Sequence, residues 1–127
     1  ATSPLQKSID IDKCITALEQ DKKASSSMAV SEALQPPHKA LKLSKNKKYL
    51  KPYFKQSSIE VKNRQNLPTA FYRSNIIASR YNLIMRNNTQ IGNKSRIVKI
   101  PQIRSIDINS KFDLEICEYI AKEYNLF

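Results

Sequence analysis

One glycine, one histidine, two cysteines and no tryptophan stand among 127 residues. A single glycine, where about 7% is usual, cannot build a Walker-type phosphate cradle or a G-x-G-x-x-G dinucleotide turn. The lone His38 has no Cys, Asp or Glu at ligand spacing. It sits beside Pro36-Pro37, a poor place for a rigid metal site or a Ser-His-Asp triad. C-x-x-C and H-E-x-x-H pairs are absent, as are zinc-finger, RNA-recognition-motif and leucine-zipper signatures. No catalysis, cofactor, metal or small-molecule substrate is therefore expected.

Cys14 and Cys117 are too few for a secreted disulfide scaffold. They read as free thiols in or near a core, in a reducing compartment. No run of 18 apolar residues exists, so no membrane-spanning helix and no membrane partner is expected. No secretory signal is visible. A chain opening at Ala1 fits removal of an organellar transit peptide, and it fits any other trimming equally well.

Acid is what the middle of the chain lacks. Residues 39–104 hold 16 Lys and Arg and one carboxylate, Glu60. The flanks are faintly acidic, and the whole chain carries +11. A pI near 9.8 points to a polyanionic partner, and a long basic block interleaved with Tyr and Phe points to nucleic acid before an acidic protein. The densest run is Lys39, Lys42, Lys45, Lys47, Lys48, Lys51 and Lys55, interrupted by Leu41, Leu43, Tyr49, Leu50, Tyr53 and Phe54. Each phosphate neutralised by a cation releases condensed counterions, and Tyr49 and Tyr53 can stack on exposed bases. Pro52 prevents a long helix, so the run reads as an extended arm that needs an anion to become ordered. Lys62, Arg64, Arg73, Arg80, Arg86, Lys94 and Arg96 complete the candidate nucleic-acid contacts.

The fold reads as small, irregular α+β: three helices, one or two short strands and the long basic arm. Residues 1–38 are expected to hold a docking helix and a linker, 39–67 the arm, and 68–127 a small α/β folded part. Ser8 or Asp10 can cap the first helix. Ile11, Cys14, Ile15 and Leu18 follow at i, i+3, i+4 and i+7, a face for docking on the protein itself or on a neighbour. Residues 24–38 read as a linker with a short helical turn at Met28–Leu34. Pro68 suits the first turn of a helix over Thr69–Arg86, apolar around most of its girth; β-branched and aromatic residues at 75–85 keep a strand open there. Asn87-Asn88-Thr89 and Gly92-Asn93 signal turns, with Gly92 free to take φ > 0. Arg96–Ile100 reads as a strand ended by Pro101, and Ile103–Ile108 as a second extended segment. Ser110 and Asp113 start the last helix with a capping-box pattern. Its apolar face is Phe112, Ile116, Tyr119 and Ile120, and Glu118–Lys122 is a supporting pair. The apolar end Leu126-Phe127 is expected to be tucked into a core or a partner.

The function expected from these features is a structural RNA-binding subunit of a large ribonucleoprotein, such as a mitochondrial ribosomal protein. Its partners would be structured RNA and neighbouring proteins. A DNA- or chromatin-associated subunit in the nucleus is the alternative, and a protein-only assembly subunit is a third. Mitochondrial matrix or nucleus is the corresponding location.

Overall fold

Serine, not a hydrophobic run, builds the central strand. The computed structural model describes residues 2–54 and 67–126. Among them are three helices and five strands in two sheets: α1 Ser8–Gln20, β1 Ser26–Glu32, β2 Leu41–Leu43, β3 Leu50–Pro52, β4 Phe71–Ser79, α2 Tyr81–Asn87, β5 Ser95–Lys99 and α3 Lys111–Glu123. Two compact units are present. The first comprises the residues up to Ser31 together with those from Tyr72 onward; the second is Glu32–Phe71. No described helix is long and apolar enough to cross a membrane.

In the first unit the sheet order is β4-β1-β5. β1 and β5 are parallel, from Ser26 opposite Ser95 to Val30 opposite Lys99. The Arg80 amide donates to Ser25 O at 3.1 Å, which places the end of β4 beside the start of β1, an antiparallel pairing. Ser26 and Ser27 are fully buried, and their hydroxyls are satisfied: Ser26 Oγ donates to Ser95 Oγ at 3.0 Å, and Ser27 Oγ donates to Cys14 O. Such pairing removes most of the cost of burying a hydroxyl. The linker and helical turn expected here are thus the middle strand. Small side chains conceal a buried strand whose hydrophobicity is low.

α1 packs along β5. Cys14 joins Ala29, Ile76 and Ile100 in a small core, flanked by Ala78 and Val98. Burial pushes the Cys14 thiol above its usual range, with the nearby Asp10 carboxylate adding to the shift. Burial raises Cys117 in the same way. Both cysteines are free. The apolar face expected on α1 divides: Cys14 and Leu18 are buried, while Ile11 and Ile15 are exposed. Asp10 takes the third buried position, one turn before Cys14, and is completely enclosed. Its Oδ2 accepts the Lys7 amide at 3.3 Å, as an acid in the first turn of a helix can. Arg104 Nη2 donates to Oδ1 at 3.0 Å, and Arg104 Nε lies 2.9 Å from Oδ2 as an ion contact.

The single helix expected over Thr69–Arg86 is instead β4 followed by α2. Arg80 breaks it with extended backbone, φ −68° and ψ 140°. The nearly all-round apolar pattern came from two elements laid end to end. β4 buries Ser74 and Ile76, and α2 buries Leu83 alone. α2 ends at Asn88, which takes the left-handed conformation at φ 48° and donates its amide to Ile84 O.

Gly92 is needed for space and not for positive φ, which it does not adopt. A Cβ there would lie 2.0 Å from Ser25 Oγ, 2.9 Å from Ser25 Cβ and 3.3 Å from Leu83 Cδ1. Gly92→Ala is expected to destabilise the protein by about 1–3 kcal/mol, measured by urea unfolding. Adding Ser25→Gly should recover most of the loss. An unchanged midpoint in the single variant would contradict this packing.

β5 matches the expected strand, and Pro101 follows it. Gln102–Ser105 is a 3-10 turn within the stretch expected to be extended. The chain beyond it is fixed by Asp107. Its Oδ1 accepts from Asn75 Nδ2 at 2.9 Å and Ser3 Oγ at 3.2 Å, and its Oδ2 accepts from Asn109 Nδ2 at 3.2 Å. Side-chain hydrogen bonds, from Thr2 foremost and then from Asn109, Asn75 and Ser3, hold this carboxyl below its ordinary value of 3.8. A depressed carboxyl stabilises the fold above its ordinary value, and that contribution is lost as pH falls through the lower folded one. Asp107→Asn should therefore lower stability at neutral pH, with the gap to the wild type closing below about pH 4. A gap independent of pH in urea unfolding would refute this.

α3 begins as the sequence suggests. Ser110 Oγ accepts the Asp113 amide at 3.3 Å, and Asp113 Oδ2 accepts from Ser110 Oγ at 2.7 Å and the Asn109 amide at 3.1 Å. Its inward face is Cys117 with half-buried Ile116 and Ile120. Phe112 and Tyr119, expected on that face, are 68% and 64% exposed. The ion pair on α3 is Lys111–Glu115 at 3.8 Å.

In the second unit, Pro37–Lys39 forms a 3-10 turn, and the Ala33 amide donates to Ala70 O at 2.9 Å. Strands β2 and β3 pair antiparallel. The described part of the basic run is therefore a hairpin and not an extended arm.

Candidate nucleic-acid interface

The hairpin follows from a two-residue alternation on both of its strands. Leu41 pairs with Pro52, Lys42 with Lys51 and Leu43 with Leu50. Opposed residues in an antiparallel pair share a face, and successive residues alternate faces. Leu41, Leu43, Leu50 and Pro52 thus form one side, and Lys42 and Lys51 the other. The pairing continues at both ends. Ser44 N donates to Tyr49 O at 2.8 Å, and Tyr53 N donates to Ala40 O at 2.9 Å. Tyr49 and Tyr53 therefore fall on the lysine side.

The turn is held by short polar side chains. Asn46 Oδ1 accepts the Lys48 amide at 3.2 Å, Ser44 Oγ accepts the Tyr49 amide at 3.1 Å, and the Lys47 amide donates to Ser44 O at 2.8 Å. Lys47 takes the left-handed conformation at φ 57°. Lys45, Lys47 and Lys48 project from this turn, and all six lysines of residues 39–54 are exposed. No carboxylate occurs among these residues.

Two features of the lysine side fit an anionic ligand that carries aromatic rings. Lys42 and Lys51 stand directly opposite each other, and like charges so placed destabilise a hairpin until an anion comes between them. Lys42 Nζ donates to Tyr53 O at 3.0 Å and lies 5.5 Å from the Tyr53 ring centroid. Tyr53 also meets Phe54 edge-on, with ring centroids 5.2 Å apart. These contacts hold the Tyr53 ring in place while leaving it more than half exposed.

The other expected contacts are scattered over the first unit. Arg80 is turned inward. Its Nη2 donates to Leu18 O at 2.7 Å and Asp21 O at 3.1 Å, and its Nε donates to Ala24 O at 2.8 Å. A cation at these carbonyls complements the negative end of α1. That guanidinium serves the fold. Lys94 and Arg96 line an open groove of about 320 Å³ with Lys23 and Asp21; Arg96 Nε lies 3.9 Å from Asp21 Oδ2. Arg73 lines a separate groove, and Arg86 is exposed on α2. Lys55, Lys62 and Arg64 lie outside the described residues, as does Phe127. Leu126 is half-buried, its amide bonded to Ala121 O at 3.0 Å.

Sequence reasoning missed Arg104, a basic residue with a buried partner 94 positions away. Only the pairing in space could show it. No group of His, Cys, Asp and Glu among the described residues could hold a metal ion. A scan against family models finds no match for the chain, and a search of curated proteins finds no similar sequence.

Proposed function

We propose that the protein is a structural RNA-binding subunit of a large ribonucleoprotein, such as a mitochondrial ribosome. One observation carries this reading: the hairpin side that bears Lys42, Lys51, Tyr49 and Tyr53, next to a turn with three more lysines and no acid. Ammonium groups meet phosphates through charge and counterion release, while tyrosines accept bases by stacking. The lysine side lacks the Arg, Asn and Gln arrays that read base edges in a duplex groove. It suits recognition of backbone and unpaired bases more than of a DNA sequence.

The exposed apolar side chains support an assembled state. Leu41, Leu43 and Leu50 on the hairpin, Ile11 and Ile15 on α1, and Phe112 and Tyr119 on α3 all stand in solvent. On the hairpin the three leucines share one face, and a contiguous apolar patch of that kind marks an interaction surface. Neighbouring proteins of the assembly would cover them. The test is a competition between a structured RNA and a DNA duplex of equal length at one salt concentration. Preference for the RNA is expected. Preference for the duplex would replace this reading with a DNA-associated one.

A further inference from the structure

A second place on the molecule has the makings of a nucleotide site. In the first unit, Arg73 of β4, Ile84 of α2, and Asn88, Thr89, Gln90 and Ile91 after it line an open groove of about 410 Å³. That lies within the usual range of small-molecule sites, about 300–1,000 Å³. Arg73, Asn88 and Gln90 are exposed, and their side chains enter no hydrogen bond or ion pair within the described residues. The main chain beneath them is fixed. The Asn88 amide donates to Ile84 O at 3.0 Å, Gln90 O accepts the Ser79 hydroxyl, and Thr89 Oγ1 bonds both Ile91 O and the Ile91 amide. The backbone that carries these side chains is held by its own bonds, and their donors and acceptors are open to a ligand.

The groups divide by chemistry. Arg73 offers a guanidinium fork for a phosphate. The carboxamides of Asn88 and Gln90 each present a donor and an acceptor, as a base edge requires. Ile84 and Ile91 supply apolar walls for the face of a ring. The C-terminal end of α2 disfavours an anion beside Asn88, so the phosphate belongs at Arg73 and the base toward Asn88 and Gln90.

We infer that this groove takes one unpaired nucleotide of the bound RNA, a second contact separate in sequence from the hairpin. The inference rests on the RNA-binding reading. A base inside a duplex cannot enter, since both its edge and its faces are already engaged. The groove therefore makes the protein favour single-stranded segments.

The test uses the full chain, fluorescence anisotropy, and three probes: a short oligoadenylate, a blunt RNA duplex of the same length, and free AMP as competitor. The variant is Arg73→Gln with Gln90→Ala, both at exposed side chains, so folding should be kept. Wild type is expected to prefer the oligoadenylate, and the variant should lose about ten-fold on that strand, the effect of one lost charged hydrogen bond, and at most about two- to three-fold on the duplex. Equal loss on both probes, or none, overturns the groove site. If wild type binds both RNAs with strong salt dependence and the variant is unchanged, the groove fails and the hairpin reading stands. If wild type binds neither, both fail. AMP that binds as tightly as the strand, and is lost in the variant, would make this a free-nucleotide site and overturn the inference.

Discussion

Arg104→Ala is expected to destabilise the protein by about 3–5 kcal/mol, since removing one partner leaves a buried charge uncompensated. Asp10 is wholly enclosed, and the Arg104 side chain is only 20% exposed. Water can do little for the orphaned carboxylate. In urea the midpoint should fall while the slope m holds, the sign of lost stability without a changed denatured state. Arg104→Lys should recover only part, because an ammonium cannot span both carboxylate oxygens. Arg104→Met with Asp10→Asn removes both charges and should lie closer to the wild type than either single change. A shift within about 0.5 kcal/mol for Arg104→Ala, as for an ordinary surface substitution, would mean that the pair does not tie α1 to the 102–105 turn.

The second large effect falls on binding. Changing Lys42, Lys45, Lys47, Lys48 and Lys51 to Gln together should lower the steepness of log K against log salt for single-stranded RNA by about 3–4. At 0.1 M salt that corresponds to roughly a thousand-fold weaker binding. The free protein should change little in stability, because relief of the Lys42–Lys51 opposition offsets the lost Lys42 contacts to Tyr53. Stability and binding thus move apart, which separates a ligand-facing surface from a solvated one. Arg80→Ala should behave in the opposite way, lowering stability through α1 while leaving the salt dependence unchanged. A five-fold Gln variant that binds as tightly as the wild type would remove the hairpin from the interface.

What could be read from the chain depended on how local its causes are. The start of α3 was legible because Ser110 and Asp113 act within one turn of each other. β5 was legible from its β-branched run and Pro101. The first helix was legible from its i, i+3, i+4, i+7 spacing, but Ile11 and Ile15 share its apolar stripe and stay exposed. β1 was not legible, because Ser26, Ser27 and Ser31 can be buried only when Ser95, Cys14 and Ser105 supply their partners. The junction of β4 and α2 was masked by apolar residues that satisfy two periods at once. The basic run was legible as charge and not as shape. Its alternation, Leu-Lys-Leu and Tyr-Leu-Lys-Pro-Tyr, marks two strands, yet Pro52 and the density of lysine suggested an arm. Of the expected phosphate contacts, the hairpin gathers Lys42, Lys45, Lys47, Lys48 and Lys51 together, while Arg80 went inward to carbonyls that no sequence pattern reveals.

The proposed RNA binding requires that the lysine side of the hairpin meet phosphate. The most direct measurement is a salt titration of RNA binding by the intact wild-type chain. Engagement of the five hairpin lysines gives a slope of log K against log salt of about −3.5 to −4.5. A slope near zero would mean that the cations of this hairpin touch no phosphate.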